Sequence, residues 1–151
     1  MVKVHIWLRD EKHVGHAALT IRNVYVSFWP DGEAGKKDLK IKTSHPGAYV
    51  ESLEHDIENE GGRKPITIDI ANLDEVSMLH YVNFLQNNVP RYQIARHNCS
   101  HLVVDVLKRG ANKKPSFKPN AAEYAKVGRI LGYGIWTPAN VMRYANELKS
   151  A

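Results

Sequence analysis

The sequence predicts an α+β fold, and three observations predict it. Alternating or β-branched segments crowd the first thirty residues and recur near residue 65. Segments with helical apolar spacing fill most of the second half. The two kinds are segregated rather than alternating, which disfavours a βαβ array and its parallel sheet. At 151 residues the chain fits one domain, residues 1–151, with no internal repeat or linker to divide it.

The elements follow in order. Val2–Leu8 alternates as a strand, and Arg9 to His13 is a polar turn. Gly15–Ile21 reads as a second strand and Val24–Trp29 as a third, rich in β-branched and aromatic residues. Arg22-Asn23 between them suits a two-residue hairpin turn, with Asn23 tolerating positive φ. Pro30-Asp31-Gly32 stops the third strand, and residues 31–48 read as a long loop. Tyr49 to Glu60 is an acidic, weakly periodic helix closed by Gly61-Gly62.

Pro65–Ile70 alternates as a strand. Asn72 or Asp74 then caps a helix with apolar positions Val76, Leu79, Tyr81, Val82, Phe84 and Leu85. Tyr92–Ala95 is a short extended piece. Asn98 caps a helix through Leu107 that Gly110 stops, and a Lys/Pro loop occupies 110–119. Ala121–Leu131 and Pro138–Leu148 read as two further helices, the last opened by Thr137 before Pro138.

Composition narrows the function classes. Hydrophobic residues make up 43% and charged residues 25%, which is the balance of a chain that buries a core. The lone Cys99 excludes an intramolecular disulfide and a multi-cysteine zinc site. No apolar run reaches the ~18 residues of a membrane span, and the N-terminal apolar stretch is too short for a secretory signal. The default expectation is therefore a cytoplasmic protein, with export by a signal-independent route left open. The net charge of +5 favours acidic partners such as nucleic acid, anionic lipid or wall polymer. Nucleic acid is not expected, because the aromatics fall on predicted strand and helix faces instead of interleaving with Lys and Arg. The basic groups Lys36-Lys37 and Lys108-Arg109 with Lys113-Lys114 read as solvated loops and a helix end.

Chemistry concentrates around Cys99. Behind an Asn98 cap, Cys99 occupies the first helical turn, where free N–H groups and the positive dipole end favour a thiolate and could hold an oxyanion. A thiol nucleophile needs a base. Among the eight histidines, His16 suits best, near a strand start among small residues, and His97 is an outside candidate. His101 is two residues on and is expected to point away from the sulfur. His5, His13, His45, His55 and His80 are expected at the surface or at an interface.

With a turn at Arg22-Asn23, paired residue numbers sum to 45, so Ala18 faces Ser27 and His16 faces Trp29. His16, Ala18, Thr20, Tyr25, Ser27 and Trp29 then share one face. Ser27 is a diagonal neighbour of His16 and the candidate orienter of its ring, and Trp29 is placed to shield the imidazole and line a substrate site. Histidine pairs at ligand-like spacing lack the glutamate of a hydrolytic zinc helix. No metal and no cofactor is expected.

These residues resemble a family. Tyr92-x-Ile94-x-x-x-Asn98-Cys99-x-His101-Leu102-Val103 is similar to the nucleophile segment of permuted papain-like thiol enzymes. That group includes the lecithin:retinol acyltransferase-like proteins, PPPDE-type peptidases and NlpC-like peptidases. Gly15-His16-Ala17 ahead of Asn98-Cys99 has the permuted order, and Tyr25 to Pro30 resembles the strand that follows the histidine in bacterial members. The resemblance covers residues 13–30 and 90–110. It implies a permuted papain-like fold, Cys99 as nucleophile and His16 as base. Acyltransferase-like relatives use a second histidine as third residue. No histidine lies between His16 and His45 here, and Ser27 is the nearest polar substitute. Gln93 stands six positions before Cys99, a spacing similar to the oxyanion glutamine of unpermuted relatives, and Asn98 and His97 are secondary candidates.

The resulting expectation is a cysteine hydrolase acting on an amide or peptide bond, and plausibly a bacterial effector. Lipid acyl transfer or thioester hydrolysis on the same site is the first alternative. A non-catalytic binding module is the second. Peptides, proteins and acyl groups are the expected substrates.

Overall fold

A computed structural model describes residues 1–13, 15–30, 46–92, 98–119 and 135–150. Val2–Trp7 (β1), His16–Ile21 (β2), Val24–Val26 (β3) and Ile66–Ile70 (β6) form an antiparallel sheet in the order β3-β2-β1-β6. Phe28–Pro30 (β4) and Gly47–Tyr49 (β5) form a separate antiparallel pair. The helices are Leu53–Asn59 (α1), Glu75–Asn87 (α2), Cys99–Gly110 (α3) and Pro138–Lys149 (α4). The α+β class holds.

Strand alternation builds the core. Val2, Val4, Ile6, Ala17, Leu19, Ile21, Val26, Ile68 and Ile70 point to one face. Against that face pack Met78, Val82 and Leu85 of α2, Leu102, Val103, Val106 and Leu107 of α3, and Val141, Tyr144 and Leu148 of α4. Burial of each large side chain contributes roughly 1.5–3 kcal/mol. Gly110 lets α2 and α3 come close: a Cβ there would fall 2.4 Å from Met78 Sδ, and its carbonyl accepts the Asp74 N–H at 2.9 Å.

Several expectations change. The third strand is not continuous. The β2–β3 ladder keeps the sum of 45, pairing Leu19 with Val26 and Thr20 with Tyr25, but it ends at Val26. The chain then leaves β2, and Phe28–Pro30 pairs with Gly47–Tyr49. The expected Ala18–Ser27 and His16–Trp29 ladder pairs are therefore absent. β5 lies inside the stretch read as loop or helix start. Gly47 permits it: a Cβ there would fall 2.3 Å from the Phe28 ring and 2.4 Å from the Pro90 carbonyl oxygen. Positive φ falls on Arg22 (55°), not on Asn23. Asp74 is the cap of α2, and Asn72 takes a left-handed φ of 64°.

On α2, Val76 and Phe84 are exposed, because Met78, Val82 and Leu85 take the core-facing stripe. His5 is buried, not at the surface. Its Nε2 meets Thr20 Oγ1 at 2.8 Å and its Nδ1 meets Thr67 Oγ1 at 3.1 Å, so cross-strand hydroxyls satisfy both nitrogens. Burial, then the Lys3 charge, lower its pKa to about 4. The predicted helix 121–131, Lys36-Lys37 and His45 lie outside the described residues.

Candidate active site

The face of the sheet opposite the core carries the polar residues. His16 opens β2 immediately after Gly15, whose φ of +94° is a glycine conformation. A Cβ at Gly15 would fall 2.8 Å from the Trp7 carbonyl oxygen and 3.2 Å from Pro138 Cγ. Gly15→Ala is expected to cost about 1–3 kcal/mol and to displace His16. A urea titration that matched wild type would contradict this.

The His16 side chain is 1% exposed. Its Nε2 lies 2.8 Å from Ser27 Oγ and 3.2 Å from Asp56 Oδ2. The indole of Trp29 stacks on the ring, with centroids 4.3 Å apart and planes at 20°, and Trp7 flanks it at 5.5 Å. The Cys99 side chain faces the imidazole closely enough to act on its charge. With Nε2 engaged by Ser27 and Asp56, Nδ1 is the nitrogen left for the sulfur.

Ser27 stands where the diagonal argument puts it, although β3 ends one residue earlier. Its backbone carbonyl is held by the Val50 N–H at 3.0 Å, which fixes the crossing from β3 to β4. Trp29 is buried and covers the imidazole. Its Nε1–H donates 2.7 Å to Asp56 Oδ1.

Asp56 is the residue that sequence reasoning missed. It is 0% exposed, on α1, within the segment read only as acidic helix. Besides His16, it accepts from Tyr25 OH at 2.5 Å and from the Trp29 indole N–H at 2.7 Å. A signal was available. Leu53, Asp56, Ile57 and Glu60 follow the i, i+3, i+4, i+7 spacing of a buried stripe, so two acids sit on the helix's inward face. Glu60 is likewise buried and pairs with Arg63 at 2.7 Å. Arg63 also donates to the Leu8 carbonyl at 3.0 Å, and its own carbonyl accepts the Trp7 indole N–H at 2.8 Å. These bonds fasten the C-terminal end of α1 to β1 and so position Asp56.

Electrostatics follow from this packing. Burial disfavours a charged His16, but the facing Cys99 and the Asp56 carboxylate outweigh it and push the pKa up to about 10. Burial disfavours the Asp56 carboxylate too, yet its bonds to His16, Ser27 and Tyr25 hold it well below the usual range. Tyr25 is pushed up strongly, by burial and then by Asp56, so its hydroxyl stays a donor.

Cys99, 6% exposed, is the first residue of α3. Asn98 caps the helix: its side-chain oxygen accepts the His101 N–H at 2.8 Å. His101 Nδ1 accepts the Asn98 N–H at 3.2 Å and completes a capping box. A neutral imidazole has one acceptor nitrogen, so the 3.4 Å approach of the Trp136 N–H to His101 Nε2 is the weaker contact. His101 is thus a cap residue. Asn98 Nδ2 donates 2.8 Å to the Trp136 carbonyl, tying the start of α3 to the segment that opens α4. Pro138 of that segment meets Gly15, so the Cys99 and His16 backbones share one support. Ser100, fully buried, has Oγ 4.0 Å from the sulfur. The candidates Gln93 and His97 lie outside the described residues. Among the described residues, no group of three or more His, Cys, Asp or Glu side chains is arranged to hold a metal ion.

Fold and site together define a small α+β protein with a buried cysteine, histidine and aspartate brought to one place from α3, β2 and α1. The family model described as IcsB middle domain matches residues 42–151, more than two thirds of the chain. The chain belongs to the IcsB middle-domain family. The matched span includes Asp56 and Cys99, while His16, Tyr25, Ser27 and Trp29 precede it. No curated protein and no solved structure matches the chain significantly. Among the described residues no helix is long and apolar enough to cross a membrane.

Proposed function

We propose that this chain is a cysteine-dependent enzyme of acyl chemistry on a permuted papain-like fold, with Cys99 as nucleophile, His16 as base and Asp56 as the group that orients and charges His16. The observation that carries the reading is the buried His16 paired with the Asp56 carboxylate at 3.2 Å, with Cys99 near enough to raise its pKa. The sulfur attacks a carbonyl carbon, and N–H groups of the first turn of α3 receive the developing oxyanion. The imidazolium then gives its proton to the leaving amine as the C–N bond breaks. Water, deprotonated by His16, releases the acid and restores the thiol. Ser27, with Oγ 2.8 Å from His16 Nε2, is a second group that can orient the imidazole. Because Asp56 also reaches Nε2 directly, Ser27→Ala is expected to lower turnover only about 10-fold, a weaker effect than loss of a general base at ~10²–10⁴.

Amide or peptide hydrolysis is the reaction proposed. Membership of the IcsB middle-domain family supports a bacterial effector.

The test is alkylation of Cys99 by iodoacetamide as a function of pH. Wild type is expected to react well below pH 7, and His16→Ala to fall about 10²-fold at pH 6, toward the reactivity of a thiol of pKa ~8.5. Equal profiles would remove the catalytic pair and leave a binding module.

A further inference from the structure

The end of α3 remote from Cys99 holds a cavity of about 330 Å³ that plays no part in the proposed chemistry. Lys108, Lys113 and Lys114 line it with Asn112 and Tyr144, and among the described residues no Asp or Glu lines it. Lys108 is nine residues along α3 from Cys99, about 14 Å at 1.5 Å per residue.

The loop that brings the lysines together is pinned. The Tyr144 hydroxyl donates to the Lys113 carbonyl at 2.7 Å. The Ser116 N–H donates to Glu147 at 3.0 Å, and the Ser116 hydroxyl donates to the same carboxylate. Phe117 packs against Trp136 and under the Arg143 guanidinium, 4.1 Å from the ring centre. Glu147 accepts both Ser116 bonds and also faces the Lys113 and Arg143 charges, so it offsets part of the positive charge at the rim.

Helix-dipole complementation accounts for cations in the last turn of α3. It does not account for Lys113 and Lys114, which lie beyond the helix on a loop fixed by other contacts. Holding three ammonium groups around one concavity is unfavourable by mutual repulsion, and an anion in the middle reverses the sign. The volume is at the small end of ligand sites. Exposed ammonium groups without a guanidinium fork suit multiply charged phosphate better than a single carboxylate.

We propose that this cavity is a seat for a small group bearing two or more phosphates, whether on a soluble molecule or on a lipid headgroup. The ligand would bind about one helix length from the sulfur, so it would anchor the protein without occupying the acyl site.

The test uses the full chain. Inorganic pyrophosphate is titrated by calorimetry, and sedimentation is measured with phosphatidylcholine vesicles with and without phosphatidylinositol 4,5-bisphosphate. The Lys113→Ala/Lys114→Ala variant is compared with Lys3→Ala, whose lysine pairs with Asp69 on the sheet. One saturable site is expected, weakened at least 10-fold in the double variant, unchanged in Lys3→Ala, and weakened by salt. Pyrophosphate binding with that pattern supports the seat and a soluble source. Binding only to the phosphoinositide vesicles, with the same pattern, supports the seat and a lipid source. No binding to either probe, a double variant of undiminished affinity, or an equal loss in Lys3→Ala would overturn the proposal.

Discussion

Asp56→Ala is expected to be among the most damaging single changes outside Cys99. It leaves Tyr25 OH and the Trp29 indole N–H without their acceptor, at about 1–3 kcal/mol each. It also leaves a buried imidazolium without its counter-charge, and breaking a buried pair costs about 3–5 kcal/mol. A domain of ordinary stability, about 5–15 kcal/mol, would be close to unfolding. Asp56→Asn separates function from folding. The amide keeps an acceptor for one of the two donors and the shape of the site, but not the charge. It should retain cooperative melting while losing about 10-fold or more of Cys99 alkylation at pH 6. An Asn variant that alkylated like wild type would remove Asp56 from the site's chemistry and leave it a packing residue.

The second large effect is a stability profile with two falling arms. On the alkaline side, His16 has a folded pKa raised to about 10 against an ordinary 6.5. The folded state therefore holds its proton where the unfolded chain has lost it. That stabilisation is complete below pH ~6.5 and is lost as pH rises toward 10. On the acid side, His5 has a folded pKa of about 4, so the unfolded chain binds the proton first. Its contribution is complete above pH ~6.5 and is lost as pH falls to 4, on the order of 3 kcal/mol. Asp56, depressed in the folded state, adds a further loss below the ordinary carboxylate range near ~4. In the proposed pair His16 holds the proton that Cys99 gives up, so urea midpoints from pH 4 to 10 should be highest between about pH 6.5 and 8.5, the ordinary histidine and cysteine values, and fall from there to 10. Asp56→Asn should flatten the alkaline arm, and His5→Asn should flatten the acid arm without touching the other. A wild-type profile level between about pH 8.5 and 10 would rule out a charged His16.

Much of the site could be read from local rules. A two-residue turn at Arg22-Asn23 fixes the sum of 45, and that sum brings Ser27 diagonal to His16. Asn98 before an apolar helix places Cys99 in the first turn. What failed was non-local. The break after Val26 depends on β5, a partner twenty residues away whose entry needs a bare Cα at Gly47. The burial of His5 depends on hydroxyls from Thr20 and Thr67, on two different strands. Asp56 was hidden because acidic side chains on a short helix usually face water. Only the coincidence of Leu53, Asp56, Ile57 and Glu60 on one stripe betrays that this helix turns carboxylates inward.

The spacing of His16, Asp56 and Cys99 along the chain has a consequence for biosynthesis. His16 emerges from the ribosome first, Asp56 forty residues later, and Cys99 forty-three residues after that. The sulfur's helix is itself seated by the Asn98 bond to Trp136, a residue that is made later still. A nascent or threaded chain therefore carries its reactive groups apart and unpaired. The three side chains meet only when Trp136 and Pro138 dock, so the cluster cannot form while the chain is incomplete or held unfolded.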